Sequence, residues 1–125
     1  MSLSFVFDED TRDSALWGAV LLHNQDSADE TLDIVRVGDA NGPAISTQDP
    51  DLVIWACSSG RIIVSHDENT LVGHHNNYVR QGNSTPGLLV VKKGASIPDI
   101  VESLTLIAHY AEPHEYASAP RWIPE

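Results

Sequence analysis

Residues 49–67 give the clearest indication of the fold class. They read Asp-Pro-Asp-Leu-Val-Ile-Trp-Ala-Cys-Ser-Ser-Gly-Arg-Ile-Ile-Val-Ser-His-Asp. Pro is tolerated in the first helical turn and Asp is a good cap before it, so a helix is predicted to begin at Asp49-Pro50. The helix is predicted to end at Gly60, and a buried strand is predicted to follow directly over residues 62–64. Helix, glycine turn and strand form the return half of a βαβ unit, so the sheet is predicted to be parallel.

Upstream of this stretch, a first buried strand over residues 3–7 runs directly into acid, Asp8-Glu9-Asp10. Asp10 or Thr11 is predicted to cap a helix whose apolar residues recur at helical spacing and which ends near His23-Asn24. Residues 33–37 form a short strand rich in β-branched residues. Residues 40–48 are a loop by composition, because they are mostly Gly, Pro, Ser and Thr.

Downstream, residues 70–82 are ambiguous, and we expect a broken helix or a lid-like loop there. A buried strand over residues 87–91 follows, and then a long helix over residues 97–110 with apolar residues at 3.6-residue spacing. The order of elements predicts an α/β fold, a three-layer α/β/α sandwich with a mostly parallel sheet. We expect one domain over residues 1–125, with a core of about 3–110 and a C-terminal extension of about 111–125 that packs as a short tail.

The composition and net charge of the chain favour some classes of function over others. The chain has 125 residues, 42% of them hydrophobic, and a net charge of −11 with only seven Lys and Arg residues. Phosphate binding rests on Lys and Arg, so this charge fits metal binding or a basic protein partner better than it fits direct nucleic-acid binding. No apolar stretch approaches the roughly 18 to 20 residues of a membrane span. Asp8 interrupts the N-terminal apolar run, and Cys57 is a lone cysteine, so we expect a cytoplasmic protein.

Several acids follow the ends of predicted strands. Asp8 and Asp10 follow the first strand, Asp39 the second and Asp67 the third, while Asp49 begins a helix from the same side of the sheet. In an open α/β sheet, ligands bind outside the carboxyl ends of the strands. Crowded carboxylates repel each other, and a hard divalent cation commonly holds them together. The sequence therefore predicts a Mg²⁺ or Mn²⁺ site at this edge.

The chain also resembles the bacterial PIN-like domains related to VapC toxins. The resemblance covers residues 3–110 and lies in the order and spacing of five segments, namely residues 6–10, 33–39, 49–56, 60–67 and 86–91. It implies a PIN-like fold and a metal-dependent endoribonuclease, a hydrolase in which Mg²⁺ or Mn²⁺ neutralises charge on the phosphate and activates water. It also implies the toxin of a toxin-antitoxin pair, with an RNA substrate and a cognate antitoxin protein as partners. A homodimer is a further expectation, and no membrane is involved.

Site residues follow from the resemblance position by position. Asp8, Asp49 and Asp67 match the catalytic acids, with Asp51 as an alternative to Asp49. The family's remaining acid has no clear match here, and Asp39 or Asp10 would have to substitute for it. The metal ligands are then Asp8, Asp10, Asp49 and Asp67. The candidate substrate-binding residues are Arg12, Ser65, Asn69, Thr70 and Arg80.

Other interpretations of the same residues stay open. Asp10 and Asp49 can be simple helix caps. His74-His75 is more typical of a surface loop than of a metal site. The segment from Phe5 to Thr11 also matches the Asp-x-Asp-x-Thr signature of haloacid-dehalogenase-like phosphatases, and Ser65 with Lys92 or Lys93 resembles that family's next two motifs, whereas its fourth motif is missing. A third alternative is a catalytically inactive PIN-like module that binds a protein partner.

Overall fold

A computed structural model of the chain describes residues 2–11 and 13–125. Each strand but the last is followed by one main helix. The strands are β1 Ser4–Phe7, β2 Ile34–Arg36, β3 Arg61–Ser65, β4 Leu88–Val91 and β5 Pro120–Ile123. The helices are α1 Ser14–Asp26, α2 Asp49–Ser59, α3 Thr70–Arg80, α4 Ile97–Tyr110 and α5 Pro113–Tyr116, with 3-10 turns over Glu9–Thr11 and Ala28–Glu30.

The five strands form one sheet in the order β2-β1-β3-β4-β5, and every neighbouring pair is parallel. Alternate strand residues point to opposite faces. Phe5 and Phe7 pack with α1 and α4 on the first face, whereas Val6 packs with α2 and α3 on the second. A sheet buried on both faces needs continuous apolar strands, which is the pattern of residues 62–64 and 88–91. The predicted three-layer α/β/α class with a parallel sheet is confirmed.

The helix connections do not all have the same hand. The step from β1 to β2 and the step from β4 to β5 run in opposite directions along the sheet, yet α1 and α4 lie on the same face. These two connections therefore have opposite hands. The steps from β2 to β3 and from β3 to β4 run in the direction opposite to the step from β1 to β2, and α2 and α3 lie on the second face. The connections through α2 and α3 therefore have the same hand as the connection through α1. Since about 98% of parallel crossovers are right-handed, the connection through α4 is the exception.

The predicted start of α2 at Asp49 is confirmed, whereas the N-terminal caps of α1 and α2 differ from the sequence-based predictions. Asp13 caps α1, accepting the backbone N–H groups of Ala15 at 2.7 Å and Leu16 at 3.1 Å, so the prediction of a cap at Asp10 or Thr11 is wrong. Asp49 is the first residue of α2 and Gln48 precedes it as the cap, so the cap prediction for Asp49 is also wrong. At its other end α2 stops at Gly60, whose φ of 67° suits a residue without a Cβ. Among the described residues, no backbone N–H group of a helix start donates to the side chain of Asp10 or Asp49.

The ambiguous segment is a regular helix, not a broken helix or a lid. Leu71 and His75 of α3 are buried, and Val72 and Tyr78 pack against the second-face core, so one side of the helix is anchored along its length. The prediction of a surface loop at His74-His75 is therefore wrong. His75 is fully buried, and its Nε2 lies 2.6 Å from Oγ1 of Thr85.

The C-terminal segment does more than pack as a tail. Its residues Pro120–Ile123 form the edge strand β5, which pairs with β4 from Leu88 to Val91. Pro120 is the first residue of this strand, a position at the sheet edge where a missing N–H is tolerated. Ile123 is fully buried in the first-face core. None of the described helices is long and apolar enough to cross a membrane.

Candidate functional site

The strand order places a crevice beside the carboxyl ends of β1 and β3. From β1 the chain steps to β2 on one side, and from β2 it crosses β1 to reach β3 on the other side. In doubly wound sheets this reversal is the point where ligands bind, because the two connections diverge there and leave space. Asp8 follows β1 directly, and Asp67 lies two residues after the last residue of β3. The topology therefore brings the predicted acids to the expected place.

Asp8 is a buried carboxylate held by two hydroxyl groups. Its side chain is 6% exposed. Thr11 Oγ1 donates to Asp8 Oδ1 at 2.6 Å, and Ser65 Oγ donates to Asp8 Oδ2. Burial raises the pKa of Asp8 above its usual value, and the bonds from Ser65 and Thr11 partly oppose this rise. The two bonds leave lone pairs on both oxygens, so the carboxylate can still accept a further ligand.

The same Ser65 hydroxyl connects Asp8 with Asp67. It accepts the backbone N–H of Asp67 at 2.9 Å while donating to Asp8. Asp67 Oδ1 in turn accepts the backbone N–H groups of Asn69 at 2.9 Å and Thr70 at 3.0 Å, so it satisfies donors at the start of α3. Asp67 thus has a structural role in the turn that leads into α3, whose N-cap residue is Asn69. Its second carboxylate oxygen accepts no hydrogen bond from residues 2–11 and 13–125.

Four carboxylates line a pocket that we call the acid pocket. These are Asp8, Glu9, Asp10 and Asp49, and the cavity measures about 270 Å³. The loop after β2 forms its opposite wall with Ser46, Thr47 and Gln48. Glu9 Oε1 accepts the backbone N–H of Ser46, which joins the two walls. Among the described lining residues there is no Lys or Arg, so the pocket is strongly negative.

Asp49 is a pocket carboxylate whose pKa depends on burial and on neighbouring charges. It is partly buried, and no residue in 2–11 or 13–125 donates a hydrogen bond to its side chain. Burial raises the pKa of Asp49, and the negative charges of Asp67 and Asp10 raise it further, while His74 acts in the opposite direction. Asp67 and Asp10 therefore lie close enough to Asp49 for their charges to act on it.

The arrangement can be compared with what a cation needs. Mg²⁺ and Mn²⁺ prefer carboxylate oxygens and water, and the acid pocket offers those donors. Within residues 2–11 and 13–125, however, no three His, Cys, Asp or Glu side chains converge closely enough to hold a metal ion. The donor type fits a hard cation, and the carboxylates would have to move closer together to share one.

The structure separates the remaining predicted residues. Asn69 and Thr70 are exposed at the start of α3, beside Asp67. Arg80 lies at the other end of that helix, about 15 Å from Thr70 at the usual rise per residue, so the fold does not bring it to the acid pocket. Arg12 lies outside the described residues. Asp51 is exposed in the first turn of α2.

Asp39 does not take the place of the missing family acid in the acid pocket. Its Oδ1 lies 3.0 Å from Nη2 of Arg36, and its Oδ2 accepts the backbone N–H of Arg36 at 2.9 Å. Both oxygens thus contact the end of β2. Of the two candidate substitutes, Asp10 is the one that lines the pocket.

Four residues near the site, Glu9, Thr11, His66 and His74, were not placed in the metal-dependent nuclease site from the sequence. Glu9 joins the pocket walls, and Thr11 holds Asp8. Because Thr11 uses its single proton on Asp8, its contact with His66 at 3.2 Å requires a proton on His66 Nδ1. His74 acts on the charge of Asp49. The three-residue spacing from Asp8 to Thr11 was a usable signal, because one 3-10 turn brings such residues together.

Searches against protein-family models, curated proteins and solved structures found no match to this chain. Membership of the PIN-like domains therefore stays a prediction that rests on the order of the sequence segments.

Proposed function

We propose that the acid pocket binds Mg²⁺ or Mn²⁺ and that the protein is a metal-dependent endoribonuclease. The observation that carries this proposal is the carboxylate of Asp49, which faces Asp8 and Asp10 across a pocket without a described basic lining residue. Burial and then the charges of Asp67 and Asp10 raise the pKa of Asp49, and a divalent cation would relieve that repulsion. The resemblance to PIN-like domains supports RNA as the substrate.

Each acid has a different task in this proposal. Asp8, Asp10, Asp49 and the second oxygen of Asp67 supply ligands to the cation. When bound, the cation neutralises charge on the phosphate and makes a water molecule a better nucleophile. Ser65 and Thr11 keep Asp8 oriented through their hydrogen bonds. The exposed side chains of Asn69 and Thr70 contact the RNA, and the cation is essential because a phosphate would otherwise be repelled from the pocket.

The test compares two acids in the first turn of α2. Asp49→Asn removes a carboxylate that lines the acid pocket, whereas Asp51→Asn removes an exposed carboxylate that does not. Mn²⁺ binding, measured by calorimetric titration, and cleavage of a fluorescent single-stranded RNA should both be lost in Asp49→Asn and retained in Asp51→Asn. Equal activity of the two variants, or cleavage by the wild type in excess EDTA, would contradict the proposal.

The phosphatase alternative is favoured by one contact, the hydrogen bond between Ser65 and Asp8, which joins two of that family's motifs. Asp8 would there attack phosphorus, but its carboxylate is buried and both oxygens are hydrogen-bonded. Nζ of Lys93, a candidate for the third motif of the phosphatase family, lies 3.8 Å from Oε1 of Glu68. Hydrolysis of a small phosphomonoester, lost in Asp8→Asn, with no RNA cleavage would favour this alternative. Inactivity in both assays with an intact fold would favour a binding module.

The cellular role follows the same resemblance. We propose that the protein acts in the cytoplasm as the toxin of a toxin-antitoxin pair, and that a cognate antitoxin inhibits it. A net charge of −11 would attract a basic antitoxin. Expression of the wild type, but not of Asp49→Asn, should arrest growth if the toxin assignment is correct.

A further inference from the structure

A second open cavity lies on the first face of the sheet, between α1 and α4, and we call it the α1–α4 groove. It measures about 680 Å³, and its floor is formed by Ala19, Leu22, Val101 and Leu106, with Ile97 at one end. Leu22 is 57% exposed and Leu106 is 52% exposed. Adjacent exposed apolar side chains on a small domain mark an interaction site more often than isolated ones do.

The polar groups in the groove have partners within the domain. His23 Nε2 lies 2.8 Å from the carbonyl oxygen of Glu30 and so donates its proton there. Thr105 Oγ1 donates to the carbonyl oxygen of Val101 at 2.8 Å. The hydroxyl of Tyr110, which is 71% exposed, donates to the Glu30 carboxylate. The floor of the groove therefore offers mainly apolar contact, and a ligand would not need to replace internal hydrogen bonds.

The rim of the groove carries negative charge. Asp26, Glu30 and Glu102 line it, and none of its described lining residues is Lys or Arg. This negative charge determines which kind of partner the groove can bind. A symmetric dimer formed through this face would bring the acids of both copies into one interface, with no Lys or Arg among the described lining residues to pair with them. An anionic membrane surface would be repelled for the same reason. A partner with an apolar centre and flanking positive charges is complementary to both parts of the groove.

We propose that the α1–α4 groove binds an amphipathic helix of a partner protein, with apolar side chains on the floor and Lys or Arg against the rim. α1 has 13 residues and α4 has 14, and both run along the same face of the sheet. A helix laid into a groove uses anchors at positions i, i+3, i+4 and i+7, which span about 10 Å, well within the length of the two helices. The chemistry of the groove thus defines a basic amphipathic helix.

This surface is independent of the acid pocket. α1 and α4 cover the first face, whereas Asp49 belongs to α2 on the second face, and the two cavities have no lining residue in common. Failure of RNA cleavage would therefore leave the groove unaffected, and failure of peptide binding would leave the acid pocket unaffected.

The test uses a designed peptide of leucine and lysine, about 15 residues long, with leucines on one helical face. Two control peptides are a version with glutamate in place of lysine and a scrambled version of identical composition. Fluorescence anisotropy with the full chain should show binding of the amphipathic lysine peptide alone. Leu106→Ser should weaken that binding about tenfold, while Ile54→Ser, at an apolar residue of similar exposure on α2, should not.

A charge comparison completes the experiment. Glu102→Lys should weaken the lysine peptide and strengthen the glutamate peptide, whereas Asp51→Lys, outside the groove, should change neither specifically. Equal binding of the scrambled peptide would overturn the proposal, because it would show general attraction to an acidic protein. Self-association of the wild type in sedimentation velocity, abolished by Leu106→Ser, would also overturn it in favour of a second copy as occupant.

Discussion

Ser65 Oγ donates a hydrogen bond to the buried carboxylate of Asp8 and accepts the backbone N–H of Asp67 with the same oxygen atom. Ser65 is the last residue of β3, and Asp8 directly follows β1. A single hydroxyl thus links the ends of the two central strands. It both lowers the cost of burying Asp8 and fixes the start of the turn that leads to Asp67.

Ser65→Ala should destabilise the protein by about 1 to 3 kcal/mol, because it leaves a buried carboxylate and a backbone N–H without a partner. Urea denaturation at neutral pH measures this change. Ser59→Ala is the matched control, since Ser59 is exposed at the end of α2. A loss of stability equal to that of the control would show that the hydroxyl contributes nothing.

Asp8→Asn should raise the free energy of unfolding at neutral pH, although it removes a candidate metal ligand. Burial raises the pKa of Asp8 above 3.8, so the ionised form is disfavoured in the folded protein. The stability of the wild type is therefore greatest below the unfolded pKa and falls as the pH rises through the folded pKa. The asparagine side chain does not titrate and avoids that loss.

The measurement for Asp8→Asn is urea denaturation in EDTA at several pH values. The advantage of the variant should be large near pH 7 and should shrink as the pH falls to 3.8 and below, where Asp8 becomes protonated in both states. The exposed Asp51→Asn should show no such trend. An advantage that grows as the pH falls would have the wrong sign and contradict the burial argument.

Stability should fall in mild acid because of His75. Burial lowers the pKa of His75 below its usual 6.5, with a smaller opposing effect from Asn76. The side chain Nδ1 also has no hydrogen-bond partner among the described residues. A histidine that stays neutral in the folded state costs stability as the pH falls below 6.5, because the unfolded chain then binds the proton more readily.

His75→Gln should reduce this acid-induced loss, even if it lowers stability at pH 7 by disturbing the contact with Thr85. The relevant quantity is the difference in unfolding free energy between about pH 8 and pH 5, within one variant. His114→Gln, at an exposed site in α5, serves as the control. An unchanged pH dependence in His75→Gln would place the effect elsewhere.

Local patterns predicted much of the fold, and the reasons are visible in particular elements. α4 begins and ends where the 3.6-residue spacing predicted, because its apolar positions face the first-face core. β5 was missed because Pro120 and Pro124 argue against a strand. Its place beside β4 depends on the connection through α4, whose unusual hand has no signature in the chain.

The candidate site was only partly predictable for a similar reason. Acids that directly follow buried strands, such as Asp8, must lie at the carboxyl edge of a parallel sheet, so their common location follows from the strand pattern. The wall formed by Ser46 is different. It depends on one hydrogen bond to Glu9, 37 residues away, and no local propensity encodes such a contact.

Asp67 combines a structural role with a proposed catalytic one, and two substitutions separate them. Asp67→Ala removes the acceptor for Asn69 and Thr70 and should cost about 1 kcal/mol, because two backbone N–H groups at the start of α3 lose their partner. Asp67→Asn keeps an oxygen acceptor, so its unfolding free energy should stay close to that of the wild type.

For Mn²⁺ binding and RNA cleavage, the proposed metal site predicts that the same two variants behave alike, although their stabilities differ. Asp67→Asn and Asp67→Ala should both lose Mn²⁺ binding and RNA cleavage, because each lacks the negative charge that acts on Asp49. Glu68→Gln, at the next residue, controls for charge loss near the turn and should retain both activities. If Asp67→Asn were fully active while Asp67→Ala were inactive, Asp67 would act only as the hydrogen-bond acceptor that holds the start of α3. The cation would then have to be held by Asp8, Asp10 and Asp49 alone.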